Sequence, residues 1–163
     1  MRSIKTDFVQ AALGLGLAFG VYTILGRTAS VLVPLFSVFT LTVIWFGQKK
    51  GELFGAVMGT CSGLLLDAFS LGVFGISGLT LTVTGYLAGL VARKINVLSF
   101  LKTFVFLAVL TVGEALLWLG MVSLFLSQKA GRLENILLLR PLVTAAVGAI
   151  VFAMLRKRGA QRG

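Results

Sequence analysis

No histidine occurs in the chain, and cysteine occurs once, as Cys61. The first absence removes imidazole metal ligands and the commonest general base. The second excludes an internal disulfide and a metal site built on cysteines. Acids are scarce too: Asp7, Glu52, Asp67, Glu114 and Glu134 are the whole set. That is a thin basis for hydrolysis or metal-assisted chemistry. No phosphate-binding glycine loop is present; the "GLG" at Gly14–Gly16 runs on into Leu-Ala-Phe inside an apolar run. The pattern predicts no catalytic residue, no metal and no cofactor.

What fills the chain instead is apolar. Of 163 residues, 58% are hydrophobic and 12% charged, with mean hydropathy +1.03. Soluble domains run at about 45–50% apolar and about 25% charged. The longest polar stretch, around Ser127–Asn135, is too short to fold alone. The expected class is an all-α, polytopic membrane protein, a single integral membrane domain over residues 1–163. Six apolar segments are expected as spans, at about 8–25, 29–46, 51–66, 71–92, 103–126 and 136–155. A helix needs roughly 20 residues to cross the hydrocarbon core. The second, third and sixth have the shortest clean apolar cores and are the ones a compact fold would tilt or make re-entrant. The first reads as an uncleaved signal-anchor. Pro34 is cheapest in a first helical turn, which would start the second helix near Val33 and lay Thr28–Leu32 along the interface.

The net charge is +10. With the N-terminus inside, eleven of the 15 basic residues fall in cytoplasmic segments and four (Arg27, Lys129, Arg132 and Arg140) outside. Such a bias sets orientation and places both termini in the cytoplasm. The charge also draws the protein to anionic membrane lipid. Nothing in it calls for nucleic acid.

Four features carry the functional reading. Gly51, Gly55, Gly59 and Gly63 recur every four residues. In lipid, small residues let helix backbones approach, and the four-residue step drifts about 40° per step, a slightly spiralling groove. Two occupants are open: another helix of this chain, or a helix of a partner. Similar spacing recurs at Ala12, Gly16 and Gly20, at Gly85 and Gly89, and at Gly113 and Gly120; with 20 glycines the bundle is expected to be compact. Asp67 continues the ladder. It lies 17 residues beyond Lys50, roughly 25 Å along a helix and so near the outer interface. It reads either as a turn or cap, with Ser70 capping the next helix, or as part of an outer-face partner contact. Glu114 lies 11 residues beyond Thr103, roughly 16 Å in and near the midplane. A charge there costs about 2.5–3.5 kcal/mol on insertion scales, so a partner is expected: Thr80, Thr82, Thr84, Tyr86, or Arg140 if the helices tilt. Finally, Ser127–Arg140 mixes charge with leucine and reads either as a short interfacial helix or as an ordinary loop.

Residues 34–89 carry a resemblance. A proline opens the second segment, which runs to Ile44-Trp45 before a basic turn; Gly55, Gly59 and Gly63 follow, then "GLLLDAFSLGVFG", then a segment ending in Gly-Tyr-Leu at 85–87. This pattern resembles the MreD family of rod-shape-determining membrane proteins, most specifically over about 55 residues and generically elsewhere. The resemblance implies a non-enzymatic scaffold of the bacterial inner membrane that binds the bitopic protein MreC. It implies membership of the elongation machinery with MreB, the RodA glycosyltransferase and a class B penicillin-binding protein. It also implies a fold similar to the S-components of energy-coupling-factor transporters. The family's small-residue motif and aspartate fall on Gly55, Gly59, Gly63 and Asp67, the expected partner-binding set, while Glu114 and Tyr86 are the expected polar residues within the membrane. The alternative class is a small-molecule-binding, S-component-like transporter subunit, drawn from Glu114 and the hydroxyls of the fourth segment.

Overall fold

A computed structural model describes residues 4–28, 37–69, 74–94, 100–126 and 134–160. Among these residues the chain is helical, without strands. The helices are α1 (Ile4–Thr28), α2 (Val38–Lys50), α3 (Glu52–Phe69), α4 (Ile76–Lys94), α5 (Phe100–Leu126) and α6 (Glu134–Ala160).

Local chemistry sets several boundaries. Ser37 caps α2, its side chain accepting from Thr40 N. Gly51, at φ 97°, ends α2, with its N–H bonded to Gly47 O. An L side chain strains at that φ, so glycine makes the break. Glu52 then opens α3, an anion at the positive end of the helix dipole. A single residue therefore joins α2 to α3. A second glycine at positive φ, Gly75, precedes α4. Lys49, Lys50, Arg93 and Lys94 sit in last turns, where cations suit the dipole.

Each expected apolar segment overlaps one helix, with two differences. The second segment was expected at 29–46; its described helix is Val38–Lys50, 13 residues and about 20 Å long. That is shorter than a hydrocarbon core. The expected helix start near Pro34 lies outside the described residues. Residues 134–140, of which 136–140 were expected both in the sixth segment and in the loop or interfacial helix before it, form the first turns of α6, which carries Pro141 in its interior. The remainder of that stretch, 127–133, lies outside the described residues. Among the described residues, three helices are long and apolar enough to cross a membrane: Glu52–Phe69, Ile76–Lys94 and the Leu101–Leu124 stretch of α5. Val9–Ile24 and Arg140–Met154 are shorter apolar stretches.

α2 is the hub, packing against α1, α3, α4 and α6. One apolar cluster joins Leu41 and Ile44 to Ala88, Leu107, Leu110, Ala145, Ala149 and Phe152. Another joins Ala18, Phe39 and Leu81. The polarity is inverted relative to a protein in water. Thr40, Thr80, Thr84, Thr103, Thr111 and Thr144 are buried, while Leu17, Leu53, Leu101 and Leu124 are each at least 70% exposed. Apolar outer faces on this scale exceed what a soluble monomer shows; they fit a membrane protein. Most of these threonines are tolerated because their hydroxyls return to the preceding turn, as Thr84 Oγ1 does to Thr80 O (2.9 Å) and Thr144 Oγ1 to Arg140 O (2.8 Å).

Candidate functional site

The glycine ladder is a backbone-to-backbone seam between α3 and α4. A Cβ placed on Gly55 would overlap Gly85 O, one on Gly59 would overlap Leu81 O, and one on Gly63 would overlap Ser77 O. Each four-residue step forward along α3 is met by a four-residue step back along α4, the register of an antiparallel pair. The contact is reciprocal, since a Cβ on Gly85 would overlap Gly55 O and one on Gly89 would overlap Glu52 Cα. At one point three helices meet. A Cβ on Gly55 would lie 2.9 Å from Gly47 Cα, and one on Gly47 would lie 2.8 Å from Gly85 O. The seam buries Gly55, Gly59 and Gly63.

This decides between the two occupants of the groove. The groove at Gly55, Gly59 and Gly63 is filled by α4 of the same chain, so the expectation that these glycines receive a partner helix is corrected. The step of four predicts close approach, and it says nothing of which helix approaches. Gly85 and Gly89 carried the matching signal; reading them in reverse against Gly55 and Gly51 would have paired the two helices.

Asp67 is 4% exposed and ends the seam. Its Oδ2 accepts from Gly75 N (2.8 Å) and Gly78 N (3.1 Å), and its Oδ1 from Ser77 N (3.3 Å). A carboxylate at the end of α3 thus caps the start of α4, satisfying first-turn N–H groups that lack helical partners. The cap reading holds in kind, but the capping group is Asp67 itself; Ser70, expected in that role, lies outside the described residues. Burial and these bonds turn Asp67 inward, away from the expected outer-face contact.

Glu114 is half-buried on α5, and its hydrogen-bond partner is not among the expected ones, although the nearby Arg140 is. Thr40 Oγ1 donates to Glu114 Oε1 (2.9 Å). Ser37 Oγ lies 2.6 Å from Thr40 Oγ1. A hydroxyl has one proton; Thr40 gives its own to Glu114, so Ser37 donates to Thr40. Ser37 N in turn donates to Thr144 Oγ1 (3.3 Å) on α6. Thr111 Oγ1, one turn before Glu114, reaches Pro141 O (3.1 Å). The positive charge of Arg140 also acts on the Glu114 carboxyl. The network ties α2, α5 and α6 together through polar groups inside an apolar bundle.

The α4 hydroxyls expected to meet Glu114 are engaged elsewhere. Thr80 bonds Ser77 O, Thr84 bonds Thr80 O, and Thr82 bonds Gly78 O and Thr60. Tyr86 is 41% exposed on α4. The pairing of Tyr86 with Glu114 is therefore corrected to Thr40 with Glu114. The missed signal was the Ser37/Thr40 pair at the start of α2, one helical turn apart.

Among the described residues no group of three or more His, Cys, Asp or Glu side chains is placed to hold a metal. Compared with known protein families, with curated proteins and with solved structures, the chain matches none.

Proposed function

We propose that this chain is a non-enzymatic scaffold of the bacterial cell-elongation machinery, a six-span protein of the MreD kind that binds MreC. In this reading it sits in the cytoplasmic membrane with both termini inside. It helps position or regulate peptidoglycan synthesis, and hence cell shape, alongside RodA, a class B penicillin-binding protein and MreB. The sequence pattern of residues 34–89 introduces the reading. One structural observation supports it: three of the five acids make contacts that hold the chain together. Asp67 caps α4, Glu114 bonds Thr40, and Glu52 pairs with Arg93. What the bundle offers outward is apolar helix surface, the material of helix docking rather than of chemistry.

With the seam filled, the transmembrane helix of MreC docks on an outer face. The test is co-expression with MreC and photo-crosslinking in the membrane from outward positions: Leu13 and Leu17 on α1, Val57 and Leu64 on α3, Val109 and Leu116 on α5. Crosslinks confined to one face are expected. Absence of MreC from both the crosslinks and the detergent-purified complex defeats the proposal.

The S-component-like alternative draws on the carboxyl–hydroxyl network at Glu114. It calls for a bound small molecule that survives native mass spectrometry and is lost in Glu114→Gln while the fold persists.

A further inference from the structure

At the end of the bundle where α2 turns into α3, a cleft of about 360 Å³ opens between that elbow and the last turn of α4. Its floor is backbone. Gly51 joins the two helices, and Gly89 of α4 lies so close to Gly51 and Glu52 that a side chain there would collide with both. Its rim is cationic: Lys49, Lys50 and Arg93 line it, with Glu52 as the acid among them. These cations are held in place. Lys49 Nζ stands 5.0 Å from the Trp45 ring centre. Lys50 Nζ stands 5.2 Å from that of Phe54 and donates to Gln10 Oε1 at 2.9 Å. Arg93 pairs with Glu52 Oε1. The cleft also takes in the first turn of α3, whose N–H groups and dipole favour an anion.

Two buried atoms of the lining have no hydrogen-bond partner: Gln48 Nε2 and Glu52 Oε2. Such atoms are costly to leave unpaired, and these two need opposite things. Gln48 Nε2 needs an acceptor, and Glu52 Oε2 needs a donor. A bare anion would answer only the first and would be repelled by Glu52. A phosphodiester that also carries hydroxyls answers both. Its phosphate oxygens accept from Gln48 and the lysines, and a hydroxyl donates to Glu52. Three cations against one acid favour a net negative ligand over a zwitterion.

We infer that this cleft binds the headgroup of an anionic, hydroxyl-bearing phospholipid of the phosphatidylglycerol type. The site lies at a helix-terminal, cation-rich end of the bundle, the setting in which basic pockets take lipid headgroups. The inference rests on the membrane class of the protein and not on its role as a scaffold.

The test is native mass spectrometry of the full chain in detergent, titrated separately with phosphatidylglycerol and phosphatidylcholine. Soluble glycerol phosphate and inorganic phosphate are added in separate arms. Phosphatidylglycerol should be retained in preference to phosphatidylcholine. Gln48→Met and Lys49→Gln should each weaken it about fivefold or more, the scale of one basic contact near an anionic surface. Lys102→Gln, an exposed cation outside the cleft lining, should leave it unchanged. Equal retention of the two lipids, or undiminished binding in both cleft variants, overturns the inference. Binding of either soluble phosphate as tightly as the lipid overturns the lipid assignment in favour of a free anion. Lys49 is exposed, so Lys49→Gln decides the matter if Gln48→Met does not fold.

Discussion

Gly55 of α3 and Gly85 of α4 meet backbone to backbone, each lying where the other's side chain would be. No rotamer change relieves a side chain at either position, because the obstacle is main chain.

Gly55→Ala and Gly85→Ala should therefore both destabilise the protein. Overpacking in a filled interior costs about 1–3 kcal/mol, and a collision with backbone belongs at the upper end. Gly16 and Gly113 are the controls. A Cβ at either meets no atom of a neighbouring element within 4 Å among the described residues, and alanine favours a helix interior by about 1 kcal/mol over glycine. Thermal unfolding in detergent should show lowered midpoints for the first pair and unchanged or raised midpoints for the second. Equal behaviour of the two pairs would show that the seam does not set stability.

The cap at Asp67 makes a graded prediction. Asp67→Asn keeps one oxygen acceptor, while Asp67→Ala leaves the N–H groups of Gly75, Ser77 and Gly78 without this partner. A charge-assisted hydrogen bond contributes about 1.5–3 kcal/mol. Alanine should cost more than asparagine, and limited proteolysis between α3 and α4 should speed up in the same order. The reverse order would remove the cap from the account.

Thr40 and Glu114 should couple. Thr40→Val removes the donor and leaves the carboxyl short of a bond, whereas Glu114→Gln keeps an oxygen for Thr40 to reach. A double-mutant cycle over Thr40→Val and Glu114→Leu should give a coupling of about 0.5–3 kcal/mol, as expected for residues in contact. Additivity would mean that the bond at 2.9 Å contributes nothing to the fold.

Orientation is open to a labelling test. With Cys61→Ser as background, a cysteine at Lys49 or Lys94 should resist an impermeant maleimide applied outside intact cells, and one at Phe74 should react. The charge bias of the loops predicts this order. Labelling at Lys49 and protection at Phe74 would invert the topology.

Much of the outline was readable from single segments. The apolar runs announced the helices. A break between the second and third segments was announced by the basic turn after Trp45. The need for close packing was announced by the four-residue step. Less was readable at the ends of α2, because a serine cap and a glycine at positive φ moved the helix four residues beyond the expected Phe46. The charge of Arg140 near Glu114 was readable, but the hydroxyl that bonds Glu114 was not. Thr40 is 74 positions away, and the threonine hydroxyls expected to reach Glu114 from α4 bond carbonyls of their own helix instead.

By itself, then, the sequence determined the class of protein and the ladder along which α3 is approached, although the similar spacing at Gly16 and Gly20 and at Gly113 and Gly120 meets no neighbouring atom among the described residues. Apolar length and glycine spacing act within one segment, so they can be read without knowing the neighbours. Only the tertiary structure decided what touches them. It put α4 in the ladder, turned Asp67 inward as a cap, and brought Thr40 to Glu114. Those choices depend on where the chain returns through the bundle, and no single segment carries that information.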